Sequence, residues 1–254
     1  MQHFTTVSNA STPALYSREV HIWKIDFASQ LEQVSTLERL LSAPEAARAK
    51  AFRFAKDRMH FIIARAMLRT ILANYLALNP YEISFHYNAY GKPQLSAEHR
   101  SSLHFNLSHS RDIALYAVSM RHAVGIDVEY VDDSLEFDQL AQSVFAASEV
   151  SYLAALPQQD KSKAFFQGWT CKEAYIKAVG SGLAIPLDSF VVSLNIHRPA
   201  KLIRVQEQSS EAAYWQLHRF QAAAGYIAAL AIRCNNCRLS YWQYPSKQIT
   251  TSKL

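Results

Sequence analysis

Two long segments of this chain show the helical pattern of apolar residues. In the first, residues 57–78, apolar side chains recur at every third or fourth position. They are Phe61, Ala64, Leu68, Ile71, Leu72, Tyr75 and Leu76. The second, residues 161–179, has Phe165, Trp169 and Ile176 at comparable spacing. A period near 3.6 residues predicts an amphipathic helix with an apolar side toward a core, so we expect two long core helices.

Alternating and short continuous apolar stretches predict the strands. These predicted strands lie near residues 20–26, 84–88, 113–120, 190–194 and 226–232. A turn at Gly91-Lys92-Pro93 separates the second strand from the third. The first long helix is therefore accompanied by the strands near 20–26, 84–88 and 113–120, and the second by those near 190–194 and 226–232. This arrangement predicts an α+β fold of two similar halves, residues 1–122 and 123–254.

Composition agrees with a compact protein. The chain has 254 residues, of which 50% are hydrophobic and 19% charged, enough for one substantial core or two small ones. Its first residues lack the basic and apolar regions of a secretory signal. The apolar run at 222–232 is too short to span a bilayer. We therefore expect a cytoplasmic protein.

The three cysteines do not form a disulfide framework. Cys234 and Cys237 have the CxxC spacing of zinc and redox sites, but no second pair completes a four-cysteine zinc site. We interpret them as ordinary thiols on a turn. Cys171 is interpreted as a packing residue.

Charge is segregated along the chain, whose net charge is +5. Residues 48–69 contain seven basic residues and one acid, Asp57, whereas residues 122–160 contain eight acids and no Lys or Arg. Such a pair of regions suits a polyphosphate and its counter-ion. A nucleic-acid patch, a membrane patch or a solvated helix face would also explain the basic run. Few aromatic residues interleave it and no nucleic-acid motif occurs, which disfavours nucleic acid.

A pair of carboxylates marks the acidic region. Asp127 and Glu129 lie two residues apart in the sequence Gly125-Ile126-Asp127-Val128-Glu129. On a strand, residues two apart point to the same side, so both carboxylates would face one point. Two like charges held together favour a cation between them, and Mg²⁺ prefers oxygen ligands of this kind. A solvated strand end is the simpler alternative for this short pattern.

The second predicted helix carries further polar residues at matching positions. Trp169, Glu173 and Lys177 are four residues apart, so they lie on consecutive turns of one helix face. A glutamate followed by a lysine at this spacing is also an ordinary surface pair, worth about 0.2–0.5 kcal/mol. Together with the strand carboxylates, however, the face indicates a site for a metal and an anion.

Four motifs in order give the chain a family resemblance. They are Gly91-Lys92-Pro93, FNLSHS at 105–110, GIDVE at 125–129 and WTCKEAYIK at 169–177. The chain resembles the Sfp-type 4'-phosphopantetheinyl transferases over residues 44–232. The segment 145–149 is similar to a further family element, F-x-x-x-E-W, in which Val150 here replaces the tryptophan.

The resemblance implies a fold, a reaction and a set of site residues. The fold would be two α+β halves with pseudo-twofold symmetry, each a small antiparallel sheet on a long helix, with coenzyme A in the cleft between them. The reaction would move 4'-phosphopantetheine from coenzyme A to a carrier-protein serine and release 3',5'-ADP. Asp127, Glu129 and Glu173 would bind Mg²⁺, and Glu173 and Lys177 would be catalytic. Coenzyme A would contact Arg48, Lys50, Arg53, Lys92, Ser108, His109 and Lys172.

Partners follow from the same resemblance. The acceptors would be apo acyl, peptidyl or aryl carrier proteins of fatty acid, polyketide or non-ribosomal peptide synthesis. The enzyme would act as a monomer, without nucleic acid or membrane. Two alternatives share the same residues. They are a Mg²⁺-dependent nucleotide diphosphate hydrolase and a non-catalytic coenzyme A binding protein.

Overall fold

The computed structural model describes residues 1–7, 12–205 and 209–245. Its helices are α1 Val34–Glu38, α2 Ala43–Lys50, α3 Ala55–Leu76, α4 Phe137–Val144, α5 Ala147–Ala154, α6 Gln158–Val179 and α7 Ser209–Ala212. Its strands are β1 Thr5–Thr6, β2 Glu19–Asp26, β3 Phe85–Tyr87, β4 Pro93–Leu95, β5 Leu103–Ser110, β6 Ile113–Met120, β7 Val124–Tyr130, β8 Phe190–Val192, β9 Leu202–Val205, β10 Gln216–Ala223, β11 Tyr226–Ile232 and β12 Arg238–Gln243.

Two sheets organise the molecule. A five-stranded sheet has the order β1-β12-β2-β6-β5, in which β12 runs parallel to β1 and β2. A three-stranded antiparallel sheet has the order β10-β11-β7. The hairpins β3-β4 and β8-β9 lie outside them.

The sheets and the long helices form four layers. Met67 and Leu68 of α3 share a buried cluster with Tyr116 of β6. The opposite side chains of β6, such as Leu115, are buried with Ile126 of β7. On its outer face the three-stranded sheet contacts α6, and both belong to a third cluster. Because β6 is apolar on both faces, it can lie between α3 and the second sheet.

The mixed helix and strand content predicted from the sequence is confirmed. The strands predicted at 113–120 and 226–232 match β6 and β11, and the two long helices match α3 and α6 within three residues at each end. The prediction that each sheet is antiparallel is wrong for the five-stranded sheet, because β12 returns from residues 238–243 to pair in parallel with β1 and β2. A division at residue 122, and the symmetry of the two halves, remain predictions.

Gly125 determines how closely β7 approaches α6. A Cβ atom there would lie 2.1 Å from the backbone oxygen of Ala174 and 2.4 Å from the backbone nitrogen of Ala178. Only a residue without a side chain allows this approach. As a result, the side of β7 that carries Asp127 lies directly against α6.

Two short segments carry the chain between the sheets. Residues 121–123 lead from β6 to β7, and residues 233–237 lead from β11 to β12. The second segment contains a disulfide between Cys234 and Cys237, so the interpretation of these residues as ordinary thiols is wrong. Cys171 is a buried free cysteine in the α6 cluster, where it packs as expected.

Among the helices of the described residues, none combines the length and the apolar character that a bilayer span needs.

Candidate active site

Side-chain hydrogen bonds join the edge strand of the first sheet to that of the second. Asn106 of β5 accepts a hydrogen bond of 2.8 Å from a backbone N–H of β7. Two residues further, the Ser108 hydroxyl donates to Asp127 Oδ1 at 2.9 Å, and then Ser110 donates to Glu129 Oε2 at 3.0 Å. The alternating polar residues of FNLSHS therefore hold the two carboxylates of GIDVE in place.

The predicted metal and catalytic residues come together in one cavity of about 380 Å³. Its lining consists of Leu107, Ser108, His109, Asp127, Glu129, Trp169, Glu173 and Lys177. We call it the carboxylate cavity. Strand β7 contributes two carboxylates and helix α6 the third, as the two sequence periods predict. Ile126 and Val128 lie on the other side of β7, in the core.

Lys177 is held against the most buried of these carboxylates. Its Nζ lies 2.6 Å from Asp127 Oδ1 and donates to Ser108 Oγ at 3.0 Å. Asp127 is 2% exposed, and its Oδ2 is buried without a hydrogen-bond partner among the described residues. A buried acceptor without a partner is costly, so Oδ2 is available to a ligand that enters the cavity.

The other two carboxylates have raised pKa values. Burial raises the pKa of Glu129, and the nearby charge of Asp127 raises it further, although the hydroxyl of Ser110 acts in the opposite direction. Burial and Asp127 likewise raise the pKa of Glu173, while Lys177 lowers it. Three carboxylates therefore lie close together beside a single lysine, which does not balance their combined negative charge. The chemistry of this donor set fits Mg²⁺.

A second cavity of about 400 Å³ adjoins the first, because Leu107 and His109 line both. Arg48 reaches this second cavity, which we call the arginine cavity, with its guanidinium 5.5 Å from the centre of the Phe61 ring. Lys50 and Arg53 are exposed and line neither cavity. Of the three residues of the basic run predicted to hold coenzyme A, the structure therefore places only Arg48 at these cavities.

The floor of the arginine cavity is a charge network that the sequence analysis missed. Glu45 accepts hydrogen bonds from Arg65 at 2.5 Å and from Arg69 at 2.7 Å, and Arg65 also donates to the hydroxyl of Tyr87. Glu45 in addition accepts the backbone N–H of Ser42 at the start of α2. The sequence signal was a pair of arginines four residues apart that interrupts the apolar face of α3 beside Leu72 and Leu76.

Lys172 lies outside the cleft, contrary to the prediction that it binds coenzyme A. Its side chain is completely buried, with Nζ 2.8 Å from Glu149 Oε2. The same ammonium group donates to the carbonyl oxygens of Leu187 at 2.7 Å and Phe190 at 2.6 Å. All of its donors are therefore used inside the second half.

Glu149, in the family element in which Val150 replaces tryptophan, has a structural role. Besides Lys172, its carboxylate accepts the backbone N–H groups of Ala146 and Val192, each at 2.8 Å. Glu149 thus joins the start of α5 to β8 and neutralises the buried lysine. Its position is structural.

Lys92 also lines neither cavity, contrary to the prediction, although its neighbours Gly91 and Pro93 line the arginine cavity. Its Nζ donates to the carbonyl oxygens of Lys177 at 2.5 Å and Ala178 at 3.2 Å, at the last turn of α6. Burial lowers the pKa of Lys92 to about 8. A cation at a helix C-terminus satisfies free carbonyl groups and the helix dipole, so Lys92 joins the Gly91-Lys92-Pro93 turn to the helix that carries the site.

Comparison with known proteins agrees with this geometry. Residues 26–121 match the family model described as 4'-phosphopantetheinyl transferase, N-terminal, and residues 123–231 match that of the 4'-phosphopantetheinyl transferase superfamily. The chain is 37% identical to the 4'-phosphopantetheinyl transferase HetI of Nostoc sp. over 96% of this chain and 100% of the relative. This chain belongs to the Sfp-type 4'-phosphopantetheinyl transferase family.

Shorter matches join the transferase to other members. It is 36% identical to the 4'-phosphopantetheinyl transferase gsp of Aneurinibacillus migulanus, over 55% of this chain and 56% of the relative. It is 30% identical to the 4'-phosphopantetheinyl transferase Sfp of Bacillus subtilis, over 61% and 67% of the two chains. The resemblance recognised from the motifs is therefore confirmed.

Proposed function

We propose that this transferase moves the 4'-phosphopantetheine group of coenzyme A to a serine of an apo carrier protein and releases 3',5'-ADP. One observation carries the proposal beyond family membership. Within the described part of the chain, Asp127 Oδ2 is buried without a hydrogen-bond partner, in a cavity that Glu129, Glu173 and Lys177 also line. Such a site suits a hard cation together with a phosphate.

Asp127, Glu129 and Glu173 would hold Mg²⁺ in this proposal. When bound, the ion neutralises charge on the diphosphate of coenzyme A and favours displacement at phosphorus. The pKa values of Glu129 and Glu173 are raised by burial and further by the charge of Asp127, and a cation would relieve that second, repulsive contribution, which supports the assignment.

Lys177 and Glu173 take the catalytic roles. Lys177 Nζ is fixed by Asp127 and Ser108, and its side chain is 29% exposed, so it can reach a ligand in the cavity. We assign it the stabilisation and protonation of the departing 3',5'-ADP phosphate. Glu173 would accept the proton of the carrier serine, a role that suits a carboxylate with a raised pKa.

Coenzyme A would extend from the carboxylate cavity into the arginine cavity. His109 lines both cavities and Ser108 lines the carboxylate cavity beside it, while Arg48 offers a cation to the phosphates of the nucleotide end. Lys50 and Arg53 remain exposed near this end, where they are candidates for a longer-range attraction. The long helices α3 and α6 would then be related by pseudo-twofold symmetry across the bound cosubstrate.

The acceptors in this proposal are apo acyl, peptidyl or aryl carrier proteins, and the enzyme acts as a cytoplasmic monomer. The net charge of +5 supports association with acidic carrier surfaces.

Intact-mass measurement of an apo carrier tests the reaction. Incubation with coenzyme A, Mg²⁺ and enzyme is expected to add one phosphopantetheine to the carrier, with equimolar 3',5'-ADP. Release of 3',5'-ADP without a carrier would instead indicate the diphosphate hydrolase. Binding of coenzyme A without either product would indicate the non-catalytic alternative.

A pair of variants tests the assigned site. Glu173→Gln is expected to bind coenzyme A but to lose transfer, whereas Glu32→Gln, at an exposed glutamate, keeps it. Transfer by Glu173→Gln at the full rate would contradict the proposed base.

A further inference from the structure

The two segments that cross between the sheets bring three metal-binding side chains together. His122 lies on the crossing 121–123, and Cys234 and Cys237 lie on the crossing 233–237. One ligand atom from each residue lies within 4.8 Å of the others. A backbone hydrogen bond of 3.3 Å from Arg233 to Ala123 holds the crossings side by side.

The burial of this cluster suits a built site. Both cysteines are 7% exposed, and His122 is half-buried. Neither ring nitrogen of His122 makes a hydrogen bond to any residue in the described ranges. The backbone N–H of Cys237 is held at 2.9 Å by the side chain of Gln216, which fixes the CxxC turn. The imidazole is therefore free to act as a ligand.

Ligand type and spacing select the metal. Two cysteines separated by two residues and a histidine are typical ligands of Zn²⁺, with Zn–S near 2.3 Å and Zn–N near 2.0–2.1 Å. The Cα atoms of the cysteines are 6.0 Å apart, so both sulfurs can approach one ion by side-chain rotation. Three protein ligands leave a fourth position for water. Hard cations such as Mg²⁺ prefer the oxygen ligands of the carboxylate cavity.

We propose that His122, Cys234 and Cys237 form a redox-gated site for a soft divalent metal such as Zn²⁺, distinct from the carboxylate cavity. In the disulfide form the sulfurs are bonded to each other and do not bind metal, because the thiolate is the ligand. A dithiol reductant transfers two electrons and two protons to the S–S bond and is itself oxidised to a disulfide. The metal then displaces the two thiol protons.

Each state joins different parts of the chain. The disulfide closes only the turn between β11 and β12, within the crossing 233–237. A metal would additionally tie His122, and with it the crossing from β6 to β7. The reduced, metal-bound protein would therefore add a side-chain link through the metal to the backbone hydrogen bond that already joins the two crossings.

Titration with Co²⁺ tests the site directly. The full chain is first reduced with a phosphine. The phosphine becomes the phosphine oxide, and water supplies both its oxygen and the two thiol protons. The reduced protein is then freed of metal. One Co²⁺ per chain is expected to give a thiolate-to-metal charge-transfer band, which Zn²⁺ abolishes by displacement. Oxidised protein, verified by mass, is expected to give no band. The carboxylate cavity contributes none, since its ligands are oxygens.

Variants identify the ligands. Cys234→Ser is expected to remove the band. His122→Ala is expected to weaken Co²⁺ binding by at least about 10–100-fold. This is the loss of affinity caused by removing a residue that merely hydrogen-bonds to a metal ligand. The matched controls Cys171→Ala and His197→Ala keep the band, since Cys171 lies in the α6 core and His197 is exposed on the loop after β8. Circular dichroism establishes that each variant is folded.

Three outcomes would overturn the proposal. They are a reduced protein that gives no band, a disulfide form that binds as well as the reduced form, and a His122→Ala variant with unchanged affinity. The last would reduce the cluster to an ordinary dithiol.

Discussion

Replacing Lys172 with methionine tests whether this residue stabilises the fold or contacts coenzyme A, as the motif predicted. The side chain is completely buried and pairs with Glu149 at 2.8 Å. Methionine fills a similar volume but leaves the Glu149 carboxylate buried without its counter-charge. We therefore expect a loss of stability, and no direct effect on coenzyme A binding.

The magnitude follows from the burial of both partners. Removing one member of a buried ion pair costs about 3–5 kcal/mol, because the other charge remains desolvated. Here Glu149 keeps two backbone hydrogen bonds, from Ala146 and Val192, which favours the lower end of that range. For a chain of this size, the loss corresponds to a decrease in Tm of roughly 6–20 °C.

Thermal unfolding and steady-state kinetics measure the two effects separately. Lys172→Met is expected to lower Tm while the KM for coenzyme A, measured well below the new Tm, stays within about twofold, since no binding contact changes. The double variant Glu149→Leu/Lys172→Met is expected to recover the part of the loss that comes from the unpaired charge, but not the hydrogen bonds that Glu149 accepts from Ala146 and Val192. Lys177→Met is the matched control. It is expected to abolish transfer, since Lys177 lines the carboxylate cavity.

A Lys172→Met protein with the original Tm and a strongly raised KM for coenzyme A would refute this reasoning. Such a result would place the Lys172 ammonium group in the cleft.

The remaining predictions concern the cleft and its support. Gly125→Ala is expected to lower the free energy of unfolding by about 1–3 kcal/mol through overpacking against α6, measured by urea titration; an unchanged midpoint would contradict the close approach. Ser108→Ala removes a hydrogen bond to Asp127, so kcat/KM is expected to decrease about tenfold or more, and an unaffected rate would contradict its role. Without metal, Glu129 and Glu173 bind protons in the folded state above their usual pKa of 4.5, so the free energy of unfolding decreases as pH rises through their raised pKa values. Mg²⁺ competes with those protons, so the increase in Tm that it produces is expected to grow with pH; the opposite trend in calorimetry would exclude these ligands.

The sequence predicted the elements whose pattern is local. The helical period identified α3 and α6, and the strand period placed Asp127 and Glu129 on one side of β7. Those two periods suffice to bring three carboxylates and Lys177 together, because β7 contacts α6. The family resemblance added the order of the motifs.

What the sequence could not predict depends on long-range contacts. Lys172 and Glu173 are adjacent in WTCKEAYIK, yet one points into the core and the other into the cavity. Motif matching treats both residues as functional. What distinguishes Lys172 is its ion pair with Glu149, which lies 23 residues before it in the chain. Likewise, the contact of Arg48 with the cleft depends on how α2 packs against α3.

Strand β12 imposes a timing constraint on biosynthesis. It inserts between β1 and β2, yet it comes more than 200 residues after β2 in the chain. During translation, the amide and carbonyl groups along that edge of β2 have no strand partner until β12 itself has been synthesised. An unpaired edge attracts other chains. That edge of β2 is therefore open to pairing with other chains until β12 has been synthesised.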